Sequence, residues 1–143
     1  MKLVERTFLQ QANVELATSL PPADVVVPKD LRNPVRIDRP GVVRSILAET
    51  PAPLFGSSAI IIYSVWDASD HRPSVGITSG TLCFIDDAQL NDNEAALTFG
   101  HEVGHALGLS HNGKHVLMAG DGISRSSKLA QFEIDTINQS GLE

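Results

Sequence analysis

Cysteine is almost missing from this chain of 143 residues, since Cys83 is the only one. A single cysteine excludes an intrachain disulfide, and it also excludes a metal cage built from several thiolates. The fold must therefore be held together mainly by an apolar core. Hydrophobic residues make up 42% of the chain, which is enough for one compact domain with a core of its own.

Long apolar runs and an excess of positive charge are missing as well. No run of about 18 consecutive apolar residues occurs, and the first residues, MKLVERTFLQQ, lack the apolar stretch of a signal peptide. Lys and Arg number 11 against 17 Asp and Glu, so the net charge is −6. We therefore expect no membrane span and no non-specific binding to nucleic acid or to anionic membranes.

The chain does contain one dense run of histidines. Residues 101–111 read HEVGHALGLSH, with the spacing H-E-x-x-H-x-x-G-x-x-H. On a helix, His101 and His105 project from the same face about one turn apart and can reach a single metal ion. Gly108 suits the positive φ at which helices commonly end, so the returning chain can deliver His111. We predict that these three histidines bind one catalytic Zn²⁺.

Three protein ligands leave one coordination position for water, as in catalytic zinc sites. Zinc lowers the pKa of bound water to about 7, and a nearby carboxylate can take the proton during attack on an amide carbonyl. Glu102 is rotated by about 100° from His101 on a helix, which places it beside the ligands, and we predict it as the general base. The alternatives are a zinc site without catalysis, or histidines that only pack and cap.

These residues resemble the signature of the metzincin clan of zinc metallopeptidases, in which the long motif is followed by a turn whose methionine lies beneath the metal, the Met-turn. Met118, within Val116–Gly120, follows His111 at a suitable distance. The resemblance is strongest over residues 81–120, and the layout is closest to matrixin-like catalytic domains. Asn112, directly after the third histidine, and Gly120, where some subfamilies have a tyrosine, leave the subfamily open.

The resemblance implies an α+β, zincin-like fold with a mixed sheet, helices and one catalytic domain over residues 1–143. An N-terminal subdomain would extend to about residue 108, and a small C-terminal subdomain would cover about 109–143. It also implies a monomeric zinc endopeptidase that acts on peptides or proteins, with secretion as the usual localisation. In this layout an edge strand, here Val75–Thr78, holds the substrate; an ordinary hairpin strand is the alternative.

Two other functions fit the same motif. One is a zinc-binding domain that recognises a protein partner without turnover, and the other is a zinc hydrolase acting on a small molecule with an amide bond. His115 competes with His111 as the third ligand, while His71 is better explained as a residue of a surface turn. Acidic residues near the third helix permit Ca²⁺, although the helix dipole alone accounts for them: Asp86, Asp87, Asp92 and Glu94.

Hydrophobic periodicity predicts the elements that carry these residues. Helices are expected over about 4–19, 42–49, 92–107 and 128–139, and strands over 23–27, 59–66, 75–78 and 81–85. Asn91 and Glu94 have the spacing of a capping box at the start of the third helix, which carries the histidines.

Overall fold

The computed structural model of the chain divides into two compact units, residues 1–17 with 91–143, and residues 18–90. The helices are α1 (Lys2–Ala12), α2 (Pro40–Glu49), α3 (Asp92–Ala106) and α4 (Gln131–Gln139). The strands are β1 (Val35–Arg36), β2 (Ile61–Val65), β3 (Ala68–Ser69), β4 (Gly76–Ser79) and β5 (Leu82–Asp86). The structure describes residues 2–12, 14, 35–36, 40–49, 60–65, 68–69, 76–86, 92–112, 116–120 and 125–139.

The unit of residues 18–90 contains a mixed sheet of three strands in the order β2-β5-β4. β5 pairs in parallel with β2 and antiparallel with β4, and β4 lies at one end of the sheet. β1 and β3 form a separate parallel pair. Helices together with a mixed sheet are compatible with the α+β class expected from the sequence.

Apolar side chains from α2, β2 and β5 form the core of this unit. Val42 and Ile46 of α2 are buried with Tyr63 of β2 and Phe84 of β5. Tyr63 and Phe84 are register partners, and their rings stack with centroids 5.0 Å apart. A stacked aromatic pair adds about 0.5–1.5 kcal/mol to the burial of the rings, so this pair helps to fix the parallel register of the two strands.

The other unit is built from α1, α3 and α4. α1 buries Val4, Phe8 and Ala12, which recur every four residues along one face of the helix. Leu129, just before α4, and Ile137, in α4, are buried in the same unit. Within the described part of the chain, no helix is long and apolar enough to cross a membrane.

Most predicted elements are found with shifted ends. The helices expected at 42–49 and 92–107 are α2 and α3, and the strands expected at 59–66, 75–78 and 81–85 are β2, β4 and β5. α1 ends at Ala12 instead of near residue 19, and the Val14 N–H bonds to the Phe8 carbonyl at 3.1 Å just beyond the helix. α4 begins at Gln131 instead of 128, and the strand expected at 23–27 lies outside the described residues.

The predicted subdomain boundary near residue 108 falls inside the unit that contains α3 and α4. All three histidines of the motif belong to this unit, together with α1. The organisation as a single catalytic domain stays a prediction, and so does the role of Val75–Thr78 in holding a substrate.

Candidate metal centre

α3 carries the first part of the motif, as the sequence predicts. His101 is buried with 1% of its surface exposed, and His105 follows it one helical turn later and is half-buried. Glu102, beside His101 on the helix, is 3% exposed. The helix therefore places two imidazoles on one face and the carboxyl-bearing residue directly next to the first of them.

The end of α3 is a Schellman motif centred on Gly108, whose φ is +88°. The Gly108 N–H bonds to the His105 carbonyl at 2.9 Å, and the Leu109 N–H bonds to the Gly104 carbonyl at 2.9 Å. These two bonds define the motif, which needs a residue at positive φ that only glycine adopts without strain. Gly108 thus ends the helix as predicted, and the chain turns to bring His111 towards α3.

The three histidines converge on one point through their Nε2 atoms. The distances between these atoms are 3.1 Å for His101 and His105, 3.1 Å for His101 and His111, and 3.1 Å for His105 and His111. Nitrogen ligands of a tetrahedral zinc ion, each about 2.0–2.1 Å from the metal, lie about 3.3 Å from one another. The three residues form a group that can hold a metal ion. Their spacing fits zinc, although spacing alone does not identify the metal.

Two main-chain carbonyls set the ring orientations and tautomers. The Nδ1–H of His101 donates to the Leu117 carbonyl at 2.8 Å, and the Nδ1–H of His105 donates to the Leu109 carbonyl at 2.8 Å. A neutral ring that carries its proton on Nδ1 has a lone pair on Nε2. Two lone pairs that face each other at 3.1 Å repel, whereas a cation between them turns the same arrangement into favourable coordination.

The electrostatic environment keeps His101 neutral. The pKa of His101 is lowered from the usual 6.5 to about 3, mainly by burial and to a smaller extent by Arg125, His105 and His111, while the bond to the Leu117 carbonyl acts in the opposite direction. An imidazole must be unprotonated to bind a metal. His101 is therefore in its ligating form throughout the neutral pH range.

Met118 is packed beneath α3. It is fully buried, and a Cβ atom on Gly104 would collide with its Sδ atom. Hydrogen bonds hold the turn around it: the Leu117 N–H donates to the Lys128 carbonyl at 2.7 Å, and the Asn112 N–H donates to the Met118 carbonyl at 2.8 Å. Met118, which the sequence predicts as the methionine of the Met-turn, thus contacts the turn of α3 that lies between the two helical histidines.

This contact predicts a large effect of one added methyl group. Gly104→Ala should lower the free energy of unfolding by about 1–3 kcal/mol, because neither the buried sulfur nor the helix backbone can move without disturbing the packing. Urea denaturation measures the change. Gly41→Ala is the matched control, since Gly41 also lies in a helix and a Cβ there meets nothing within 4 Å. Equal stability of Gly104→Ala and the parent would show that the contact is not tight.

Several residues around the centre were not singled out by the sequence. The Arg125 side chain donates from Nε to the Ala119 carbonyl at 3.3 Å and from Nη1 to the Thr98 hydroxyl at 3.4 Å, which ties the segment after Met118 to α3. Glu133 of α4 is fully buried and accepts the Ala130 N–H at 2.6 Å. An arginine between Met118 and α4 and a glutamate in a helix have no sequence pattern that would have marked them as part of a site.

Burial raises the pKa of the Glu133 carboxyl, while its bonds with the Ala130 N–H and the Asn112 side chain oppose the shift. Asn112 is the residue after the third histidine. Its main-chain N–H donates to the Met118 carbonyl at 2.8 Å, which attaches the loop that carries His111 to the Met118 turn.

The structure describes only some of the other candidate ligands. His71, Asp87 and His115 lie outside the described residues, Asp86 is buried in β5, and Glu94 is exposed on α3. Among the residues that the structure describes, the histidine triad is the one group of three or more His, Cys, Asp or Glu side chains that can hold a metal.

Comparisons of the chain with protein-family models, with curated proteins and with solved structures gave no match. The function of the chain is therefore inferred from the geometry and chemistry of its own residues.

Proposed function

We propose that the chain is a zinc-dependent endopeptidase of metzincin type, with a zincin-like fold. The observation that carries the proposal is the convergence of three Nε2 atoms at 3.1 Å from one another, with Glu102 adjacent to the first ligand on the same helix. The contact of Met118 with α3 supports the metzincin assignment, because that clan has a buried methionine after the third histidine.

His101, His105 and His111 would hold the metal. Zinc bound there would supply a Lewis acid for the scissile carbonyl and would lower the pKa of water. The Leu117 and Leu109 carbonyls orient the first two rings and select the tautomer in which the proton of the neutral ring is on Nδ1, so that the Nε2 lone pair faces the site. The metal would thus meet ligands that are already in the correct tautomer.

Burial across the centre is graded in a way that suits a substrate. His101 is buried, His105 is half-buried and His111 is exposed, so solvent and substrate have access from the side of His111. Zinc bound by three protein ligands retains a coordination position for water. A centre open on one side and closed by α3 on the other fits a catalytic role better than a purely structural one.

Glu102 would perform the proton transfers. Its carboxylate takes a proton from the water that attacks the peptide carbonyl, and it passes a proton to the leaving amine when the C–N bond breaks. A domain that only binds zinc and a partner has no chemical need for a carboxylate next to the first ligand. Glu102 therefore favours an enzyme over a binding module.

The test is digestion of a proteome-derived peptide mixture by protein loaded with one zinc per chain, followed by sequencing of the new N-termini. We expect cleavage with a repeated side-chain preference, its loss after removal of zinc by a chelator, and its recovery when zinc is added back. Zinc-loaded protein that leaves the whole mixture intact would contradict the peptidase proposal. That result would favour the binding module or the hydrolase of small molecules.

A further inference from the structure

The side chain of Gln11 joins α1 to the segment that precedes α4. Its Nε2–H donates to the Ser127 carbonyl at 2.8 Å, and its Oε1 accepts the Leu129 N–H at 2.9 Å. One side-chain amide therefore satisfies a main-chain acceptor and a main-chain donor two residues apart. The pairing connects residues separated by 116 and 118 positions in the chain.

The hydrogen bonds continue from this segment to the metal centre. The peptide group between Lys128 and Leu129 is bonded at both ends, because its N–H reaches Gln11 and its carbonyl accepts the Leu117 N–H at 2.7 Å. The Leu117 carbonyl in turn accepts the Nδ1–H of His101 at 2.8 Å. Bonds at the two ends of one peptide group polarise and strengthen each other. These bonds link α1 to the buried imidazole through the main chain of Leu117, whose N–H and carbonyl belong to two peptide groups joined at its Cα.

Apolar packing follows the same route, but the hydrogen bond to the Leu117 carbonyl is the directional contact of the ring. A Cβ on Gly100 would lie 3.3 Å from Leu117 Cδ1 and 3.5 Å from Val4 Cγ2, so α1, α3 and the turn meet just before His101. Packing of this kind brings the elements together, and it is non-directional. The rotation of the imidazole depends on the position of the Leu117 carbonyl, which hydrogen bonds determine.

We infer that Gln11 is a positioning residue for the metal centre. It acts through residues 127–129 and Leu117 on the orientation of His101, and so it tunes metal binding without touching the metal. The inference rests on the metal site of the proposed function, although it does not depend on catalysis.

The pairing requires an amide of this length. The Ser127 carbonyl needs a donor and the Leu129 N–H needs an acceptor, and glutamine supplies both. Gln11→Glu would keep an acceptor but would put a carboxylate against the Ser127 carbonyl. Gln11→Met would keep a similar volume and would lose both hydrogen bonds.

Cobalt(II) is the probe, because its visible absorption reports the ligand geometry and its affinity can be measured by competition with a chelator. In Gln11→Met and Gln11→Glu, we expect Co²⁺ affinity to fall about tenfold, which is the lower end of the effect of removing a group bonded to a metal ligand, together with a shifted spectrum. Gln10→Met and Gln10→Glu are the matched controls, since Gln10 is the exposed neighbour on the same helix. They should bind Co²⁺ like the parent.

Phe8→Leu separates an effect on general stability from an effect on the orientation of His101. Phe8 is buried in α1, so its truncation should destabilise the same helix while leaving the Gln11 bonds in place. The inference is overturned if a Gln11 variant loses no more Co²⁺ affinity than an equally destabilised Phe8→Leu protein. It is also overturned if the Co²⁺ spectrum of the Gln11 variant is unchanged, or if the variant does not fold. If the protein binds Co²⁺ normally but cleaves no peptide, only the peptidase proposal is refuted, and the inference about Gln11 stands.

Discussion

Glu102→Gln should slow peptide hydrolysis by about 10²–10⁴-fold while one zinc remains bound per chain. The amide has nearly the shape of the carboxylate, but it cannot take a proton from the attacking water. Glu102 is buried beside His101, and the ligand atoms belong to the three histidines. The loss should therefore appear in kcat, with little change in KM, when initial rates are measured on a peptide found in the mixture experiment.

Glu94→Gln is the matched control, because Glu94 lies on the same helix and is exposed. It removes the same charge from α3 and should leave the rate unchanged. Zinc content is measured in parallel by mass spectrometry. Parental activity of Glu102→Gln would refute the role as general base, and loss of zinc from this variant would mean that the side chain supports the metal directly.

The centre could be predicted from the sequence because its parts are local. His101 and His105 are related by the helical repeat, Gly108 carries the conformational signal of a helix end, and His111 follows three residues later. All of them lie within eleven consecutive residues, so no long-range contact had to be known. The helix and its Schellman motif then produce the convergence of the Nε2 atoms.

The groups that hold the histidines in place could not be predicted from the sequence in the same way. The Leu117 and Leu109 carbonyls belong to the main chain, which is chemically alike at every residue, so no residue type marks them. Gln11 occurs in an amphipathic helix, where a glutamine usually faces solvent. Its partners, residues 127–129, are distant in sequence, and only the packing of α1 with the C-terminal part of the chain brings them together.

The ends of the helices and the short strands show the same difference between features that local sequence determines and features that distant contacts determine. The apolar repeat of Val4, Phe8 and Ala12 correctly marks the buried face of α1, but its apparent continuation does not predict where the helix stops. β1 and β3 contain two residues each, which is too short for any alternation to be recognised. Pairing with a partner strand defines them, so they are products of tertiary structure.

His111→Ala should weaken zinc binding by more than about a hundredfold, because the loss of a direct ligand costs more than the loss of a group that bonds to a ligand. The other two histidines keep their bonds to the Leu117 and Leu109 carbonyls, so two ligands remain in place. His111 is exposed, and its removal should leave the fold of the metal-free protein intact. Competition with a chromogenic chelator measures the affinity, and circular dichroism checks the fold.

His115→Ala is the control that decides between the two candidates for the third ligand. The Nε2 atom of His111 lies 3.1 Å from those of both helical histidines, so His115→Ala should bind zinc like the parent. Zinc stabilises the folded state in proportion to the logarithm of its concentration over Kd. Saturating zinc should therefore raise the Tm of the parent and of His115→Ala equally, and that of His111→Ala much less. The reverse pattern would assign the third ligand to His115 and would remove Gly108 from its role in delivering that ligand.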